Sequence, residues 1–348
     1  PEAQQEDKGA GLKSLAIGGF NINNATINWQ DDSTGQSYQV NNFRLNSGAI
    51  SPGSPVDLSL GLDLASSQPQ MTAALTLDGS VAVDDDVKNL TVTPLKITVD
   101  AKGEPFSGGT LKAELSTDLA ANLETMALLL KNLSLTSGEL DLTGQVALNN
   151  LAAQPAIDGN LKLARLNLRN WLQSQGIALP EMANKEALSN FEAAVTMKSS
   201  GDKTDITALN IGLDQTIIQG NAKLAGNHIG FDLQVDQINI DDYLPAVEEK
   251  SAAAKPAKTD ASGKTTTEEA PLFPVDMLRT LDIDGKVGID KLIASKLTSE
   301  QVKANIVARN GDIRLNTQIG RFYQGAFDAR TSLNVAEKTP KLSVNTNL

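Results

Sequence analysis

Few residues in this chain have the types and spacing that chemistry requires. His228 is the single histidine and no cysteine is present, so a zinc site would need several converging carboxylates. Lying next to Gly230, His228 is predicted to occupy a turn. The triplet Gly-Lys-Thr at 263–265 lacks the upstream glycine of a phosphate-binding loop, because Lys258 stands there. No Gly-x-Ser-x-Gly nucleophile elbow occurs.

The acidic clusters also favour structural interpretations. The aspartates at 84–86 follow a predicted strand and indicate a solvated turn. Residues 282–285 resemble the start of a calcium loop, but Ile293 stands where the closing glutamate should be. The aspartates at 241–242 open a short predicted helix, where carboxylates are favourable. We therefore expect no catalytic residue, no metal and no cofactor, and the chain is predicted not to be an enzyme.

Composition excludes several classes of partner. The 348 residues carry a net charge of −12, opposite to what a phosphate backbone attracts, so nucleic acid is not expected as a partner. Anionic membrane surfaces are disfavoured for the same reason. No apolar run reaches the length of about 18 residues that a membrane-spanning helix needs. The chain starts at Pro1 without Met, and we expect it to be a piece of a longer protein whose anchor lies outside it.

The elements that could position any site are predicted to be strands. From Val56 to Leu64 every second residue is apolar, which is typical of a strand with one buried and one wet face. Similar alternation recurs along the chain, and the continuous apolar runs of a parallel sheet covered on both faces are missing. The pattern predicts an antiparallel meander. Between Leu119 and Leu130 the spacing fits either a helix or strands, and the strand-like surroundings favour strands.

A glycine motif recurs within these strands. Each glycine has an apolar residue two positions before it, and two and four positions after it, at Gly79, Gly144, Gly159, Gly220, Gly285 and Gly325. Even offsets place the glycine on the apolar face, where the missing side chain permits a bend or a close approach. The repetition favours a curved trough with an apolar interior, and ordinary strand glycines at bulges are the alternative.

A longer repeat and one compositional change organise the chain. Apolar positions beginning at Leu161 recur 72 residues later at Leu233, each copy reading as a strand followed by a helical turn. Stacked repeats of this kind give elongated molecules. Residues 246–272 contain almost no large apolar residue and are predicted to be a flexible linker or disordered loop. We therefore predict a repeating β-groove over 1–245, this linker, and a truncated continuation of the groove over 273–348, opening with a short helix at 273–281.

Taken in order, several motifs resemble one family. They are residues 15–31, the stretch 40–56, the two apolar-x-apolar-x-x-aromatic-Leu units that end at Leu172 and Leu244, the stretch 273–285, and Tyr-Gln-Gly at 323–325. Together they resemble the AsmA family of Gram-negative envelope proteins over nearly the whole chain. Each motif alone is weak, since alternating strands are common, and the order of the motifs makes the likeness specific.

The resemblance implies a location, partners and a fold. It implies a periplasmic protein held at the inner membrane by an N-terminal anchor, acting as a bridge-type lipid transfer protein. Its implied partners are phospholipids, the inner membrane, and outer-membrane or other envelope proteins. The fold class predicted from pattern and resemblance is all-β: an elongated, curved, mostly antiparallel repeating β-groove with an apolar concave face and a few short helices. No catalytic signature is carried over.

The functional hypothesis is a groove along which acyl chains diffuse between inner and outer membrane. Exposing two acyl chains to water costs about 0.8 kcal/mol per CH₂, on the order of 20 kcal/mol in all, and an apolar groove removes most of that cost. The predicted lining residues are apolar and share one parity along the predicted strands: Val56, Leu58, Leu60, Leu62, Leu64, Leu75, Leu77, Val81, Val83, Ile97, Val99, Leu140, Leu142, Val146, Leu148, Ile157, Leu161, Leu163, Ile218, Leu224, Leu233, Val235, Ile283, Val287, Ile289 and Phe327.

Two other functions remain open from the sequence. The first is a structural or assembly factor that aids outer-membrane protein or envelope biogenesis without carrying lipid, using exposed strand edges. The second is an enzyme acting on envelope glycans. It would need carboxylates and aromatic residues at one spot, which the sparse Trp29 and Trp171 do not suggest. The species of lipid and its direction of movement are not encoded in any motif.

Overall fold

A computed structural model of the chain describes residues 18–51, 53–106, 108–245, 275–337 and 339–347. Within these ranges the chain forms eighteen β-strands, the short helices α1 (Leu168–Ser174) and α2 (Val275–Thr280), and a 3₁₀ turn at Ile240–Asp242. The predicted fold class, an all-β and mostly antiparallel sheet with a few short helices, is confirmed. The predicted linker at 246–272 lies outside the described residues.

The chain divides into two compact units. Unit 1 comprises Pro1–Leu179 and Leu188–Asp214, and unit 2 comprises Pro180–Ala187 and Gln215–Leu348. The strands of unit 1 are β1 (Asn21–Asp31), β2 (Gln36–Ser47), β3 (Val56–Ser67), β4 (Gln70–Val83), β5 (Asn89–Gly103), β6 (Thr110–Asn122), β7 (Ala127–Ser137), β8 (Leu140–Asn149), β9 (Ala156–Leu166), β10 (Phe191–Ser200) and β11 (Lys203–Leu213). Those of unit 2 are β12 (Thr216–Ala225), β13 (His228–Asn239), β14 (Asp282–Ala294), β15 (Leu297–Arg309), β16 (Asp312–Phe322), β17 (Gly325–Asn334) and β18 (Lys341–Asn347).

Unit 1 is a meander. Each strand from β1 to β11 pairs antiparallel with the next one in sequence. Short turns join most of these pairs, which is the connection that antiparallel neighbours permit. The ambiguous region between Leu119 and Leu130 belongs to β6 and β7 with a turn at 123–126, so the strand interpretation is confirmed.

Unit 2 departs from the meander at one place. Its strands pair in sequence order, antiparallel except for β13 and β14, which run parallel from His228↔Asp282 to Asn239↔Ile293. A parallel neighbour requires the chain to return to the starting end of the strand before pairing, so a tight hairpin cannot join the two. The meander expected from the alternation is therefore wrong at this pair.

Bulges interrupt several ladders of unit 1. Asn42 in β2 and Asn132 in β7 have positive φ, at 51° and 52°, a conformation that asparagine tolerates. The Asn42 side-chain amide donates to the Asp63 carboxylate at 2.6 Å, and that of Asn132 to Asp118 at 2.7 Å. A bulge bends its strand and shifts the alternation by one residue. These cross-strand hydrogen bonds hold the shift at fixed positions.

The recurring glycines permit a close approach of backbone or side-chain atoms at five of the six motif positions. A Cβ at Gly144 would overlap the carbonyl oxygen of Asn160, and a Cβ at Gly285 would overlap the ring of Phe231 on the paired strand. An aromatic ring lying over a strand glycine shields backbone that a side chain would otherwise cover. The prediction is wrong at Gly325, which has no atom within 4 Å of its Cβ position and begins β17 after a turn.

Candidate functional site

Pairing register aligns apolar side chains of unit 1 across successive strands. One row runs through all eleven strands and contains Ile22, Leu45, Leu60, Leu77, Ile97, Leu115, Leu135, Leu142, Leu163, Ala193 and Ile211. A second row on the same face contains Val56, Val81, Val92, Leu119, Leu130, Val146, Gly159, Met197 and Ile206. Side chains of paired residues lie on the same side of a sheet, so the rows form one continuous apolar face.

Unit 2 has an apolar face of the same kind. One row passes from β12 to β17 through Ile218, Val235, Ile289, Val302, Ile319 and Phe327. A neighbouring row contains Leu224, Ile229, Ile283, Ala308, Ile313, Leu333 and Leu342. The register of the parallel pair β13–β14 preserves this alignment, because Val235 lies opposite Ile289 there. The change of strand direction therefore leaves the apolar face intact.

The predicted lining residues fall on these two faces. The eighteen between Val56 and Leu163 share the face of the unit 1 rows, and the eight between Ile218 and Phe327 share that of the unit 2 rows. Sequence reasoning missed Leu135, because the bulge at Asn132 shifts the parity of β7 between Leu130 and Leu133. It also missed Ile211, where the alternation in β11 is irregular.

No second layer of protein covers the strands within the part of the chain that the structure describes. The extensive contacts between described elements run between neighbouring strands, and a smaller set joins the 3₁₀ turn at Ile240–Asp242 to β14. Buried hydrophobic residues in these ranges number eight: Val56, Ala101, Leu166, Ala187, Val235, Val302, Ala308 and Val335. Apolar residues in an ordinary β-domain pack against a second sheet or a helix. Here the rows lack that layer.

The two faces of unit 1 differ in solvent exposure and in charge. On β3 and β5, Leu60 and Ile97 are half-buried, whereas Ser59 and Lys96 on the opposite face are exposed. The two rows described above contain no charged residue. Charges lie on the other face, where Lys112 and Asp100 form a cross-strand ion pair at 3.1 Å, as do Lys198 and Asp158. The apolar face is therefore the sheltered and uncharged one.

The isolated polar candidates have structural partners. His228 begins β13 and does not lie in a turn as predicted, and its Nδ1 is 2.9 Å from Oδ1 of Asp282, the first residue of the parallel strand. Asp241 accepts hydrogen bonds from the backbone N–H of Ser295 at 2.6 Å and of Lys296 at 2.7 Å. This carboxylate fastens the 3₁₀ turn to the β14–β15 hairpin.

Two absences concern the described residues alone. They contain no group of three or more His, Cys, Asp or Glu side chains placed to hold a metal ion. None of their helices is long and apolar enough to cross a membrane. The apolar faces are thus the feature of the described chain that most clearly calls for a functional explanation.

Comparison with known proteins gives a family. Searches of curated proteins and of solved structures found no match. The model of the AsmA family matches residues 2–348, almost the entire chain. The chain belongs to the AsmA family.

Proposed function

We propose that this AsmA-family chain is a hydrophobic groove that carries phospholipids between the inner and outer membranes. The observation that carries the proposal is the continuous apolar face of each unit, which no second protein layer covers among the described residues. Apolar surface of this extent is stable in water only when something apolar covers it. Membership of the AsmA family is consistent with a role in lipid transfer or in the envelope.

Acyl chains fit the chemistry of the rows. They are aliphatic, they need no hydrogen bonds, and they gain about 0.8 kcal/mol for each CH₂ removed from water. The rows of unit 1 offer mainly Leu, Ile and Val and contain no charged residue. A lipid held by its tails can therefore move from one strand to the next, while its headgroup stays in water.

The same proposal fixes where the protein acts and what it lacks. We place it in the periplasm, with the full-length protein anchored in the inner membrane, and with phospholipids and other envelope proteins as partners. Transport is by diffusion along the face, so neither a catalytic residue nor a cofactor takes part. These assignments follow from the groove function and stand or fall with it.

The test is a pair of charge substitutions on neighbouring residues of β3. Leu60→Lys puts an ammonium into the first row, between Leu45 and Leu77, whereas Ser59→Lys puts the same charge on the exposed face, opposite Asp78. Native mass spectrometry after incubation with phosphatidylethanolamine liposomes measures bound lipid per chain. We expect Leu60→Lys to lower the occupancy and Ser59→Lys to leave it unchanged.

A third variant, Val146→Asp, repeats the test on β8 in the second row. Circular dichroism and thermal unfolding identify variants that have lost the fold. Unchanged occupancy in a folded Val146→Asp protein, whose short carboxylate cannot reach past the face, or an empty wild-type protein that takes up no lipid, would refute the groove.

A second candidate function is supported by the first and last strands. Ile27 and Trp29 of β1 are 55% and 53% exposed, and Leu342 and Val344 of β18 are 67% and 55% exposed. Such strands could hold an extended peptide of an envelope protein during assembly. This alternative expects peptide binding that depends on these residues, with no lipid bound by the purified protein.

A further inference from the structure

Three successive hairpin turns of unit 1 carry exposed hydrophobic residues at the same end of the sheet. The turn between β4 and β5 presents Val87, which is 37% exposed. The turn between β6 and β7 presents Leu123 at 48% and Met126 at 43%, and the turn between β8 and β9 presents Leu151 at 41%. We name these four residues the apolar rim. None of them belongs to the rows of the apolar face.

The three turns are physically joined. The backbone N–H of Leu123 donates to the carbonyl oxygen of Lys88 at 2.8 Å, which links the first turn to the second. The N–H of Leu151 donates to the carbonyl oxygen of Met126 at 3.0 Å, which links the second turn to the third. The apolar rim is therefore one surface held together by main-chain hydrogen bonds.

Turn chemistry does not explain these residues. Val87 and Met126 have φ of 55° and 52°, in the left-handed region where glycine, asparagine and aspartate are favoured. A β-branched valine is a clear exception there, since its side chain crowds the backbone. A large hydrophobic side chain that is both strained and exposed contributes little to the fold, which points to a role in binding.

Turns at the opposite end of the same strands differ. They span 32–35, 68–69, 104–109 and 138–139. In the described part of these four turns there is no exposed large hydrophobic residue. Exposed large hydrophobic residues of the short hairpin turns are thus confined to one end, whereas the longer β9–β10 connection at the opposite end carries Ile177, which is 48% exposed.

Acidic residues flank the apolar rim. The first turn contains the three aspartates at 84–86, and the second contains Glu124, against one ammonium at Lys88, which lies 3.0 Å from Glu124. The Asp84 carboxylate accepts hydrogen bonds from the Asn89 and Lys88 backbone N–H groups and from the Asn89 side chain. Those from Asn89 are the main cause that lowers the pKa of Asp84. The rim therefore carries a local negative charge near neutral pH.

We propose that the apolar rim docks a protein partner whose surface presents apolar side chains surrounded by Lys and Arg. Apolar contact supplies the affinity at the centre, and opposite charges at the edge supply orientation and association rate. An anionic bilayer has the wrong charge for this surface. The inference does not depend on the lipid groove, because the rim residues lie outside its rows.

The test uses synthetic peptides of defined charge. One is an amphipathic helix of leucine and lysine, and the other is its leucine and glutamate counterpart, each labelled for fluorescence anisotropy. We expect the lysine peptide to bind, with affinity falling as salt rises, and the glutamate peptide not to bind. The double variant Leu123→Ser/Met126→Ser should bind the lysine peptide with an affinity at least tenfold lower than that of the wild type. Ile177→Ser, at a residue 48% exposed and away from the rim, is the matched control and should bind as the wild type does.

Other outcomes overturn the proposal. Equal binding of both peptides would show that charge plays no part in the interaction. Wild-type affinity of the folded double variant for the lysine peptide would show that the peptide does not bind at the rim. If neither peptide binds, the proposal is also refuted. If the wild-type protein binds neither peptide but cosediments with phosphatidylcholine vesicles, and the double variant does not cosediment, the rim is a membrane contact instead. Thermal unfolding confirms that the exposed substitutions leave the fold intact.

Discussion

A single carboxylate placed in the middle of the long row gives the most stringent test of transport. Leu142 on β8 lies between Leu135 and Leu163, and it is half-buried on the apolar face. The variant Leu142→Asp puts a short charged group there that cannot reach past the face into water, as a lysine can. An acyl chain crossing β8 must then either leave the face or cover the charge.

The magnitude follows from the spacing of strands. Neighbouring strands lie about 4.8 Å apart, a distance that about four methylene groups span. At about 0.8 kcal/mol for each CH₂ left uncovered, crossing the substituted strand costs about 3 kcal/mol more. Since about 1.4 kcal/mol changes a rate tenfold, transfer through the row should slow by roughly 150-fold.

The assay is transfer of fluorescent phospholipid from donor to acceptor liposomes. Thr143→Asp places the same charge on the exposed face of the same strand, and it should transfer lipid as the wild type does. Leu142→Ala keeps the row apolar and should slow transfer by no more than about fivefold, since the shorter side chain loses under about 1 kcal/mol of contact with the acyl chain. A folded Leu142→Asp protein that transfers lipid at the wild-type rate refutes diffusion along this row.

Three further predictions concern stability. Val87→Asn should raise the free energy of unfolding by about 1 kcal/mol, measured in urea, because asparagine tolerates the left-handed conformation. Gly144→Val should lower it by about 1–3 kcal/mol, since its Cβ would overlap the carbonyl oxygen of a paired strand, while Gly325→Ala, with open space around it, should change it by under about 0.5 kcal/mol. The hydrogen bonds from Asn89 keep the pKa of Asp84 below its usual value. They therefore stabilise the turn fully at a pH above the usual pKa, and this stabilisation is lost as the pH falls through the lowered pKa. Hydrogen exchange of the Asn89 amide should therefore accelerate in acid relative to an amide without a carboxylate partner, and equal pH profiles for the two would contradict this.

The strands and their apolar parity could be predicted because period-two alternation is a local property. The alternation of Leu58, Leu60 and Leu62 predicts both a strand and which of its side chains lie on the apolar face, without knowledge of the strands that pair with it. The short helix after Leu166 was also predictable, and its N-cap, Asn167, accepts from the N–H of Asn170 as an N-cap should.

Non-local features could not be predicted in this way. The parallel pairing of β13 with β14 depends on where the chain returns after Asn239, and no residue pattern encodes that path. The sequence predicts a turn at His228 because Gly230, two residues later, is a turn signal, whereas in the structure His228 begins β13 and contacts Asp282 of the paired strand. The apolar rim could not be predicted, because the exposure of Val87 and Met126 and the hydrogen bonds that join their turns depend on strand pairing.

Pairing between sequence neighbours alone has a consequence for how such a chain can change over time. In unit 1, each strand contacts the one before it and the one after it, so a duplicated hairpin could be inserted at a turn without disturbing distant packing. Each added hairpin would extend the rows by about 10 Å, two strand spacings. A single residue inserted within a strand would instead turn the leucines beyond it to the charged side, unless a bulge like that at Asn132 absorbs the extra residue. Insertions and deletions of whole hairpins are therefore tolerated in this architecture, whereas changes in the number of residues within a strand are disfavoured.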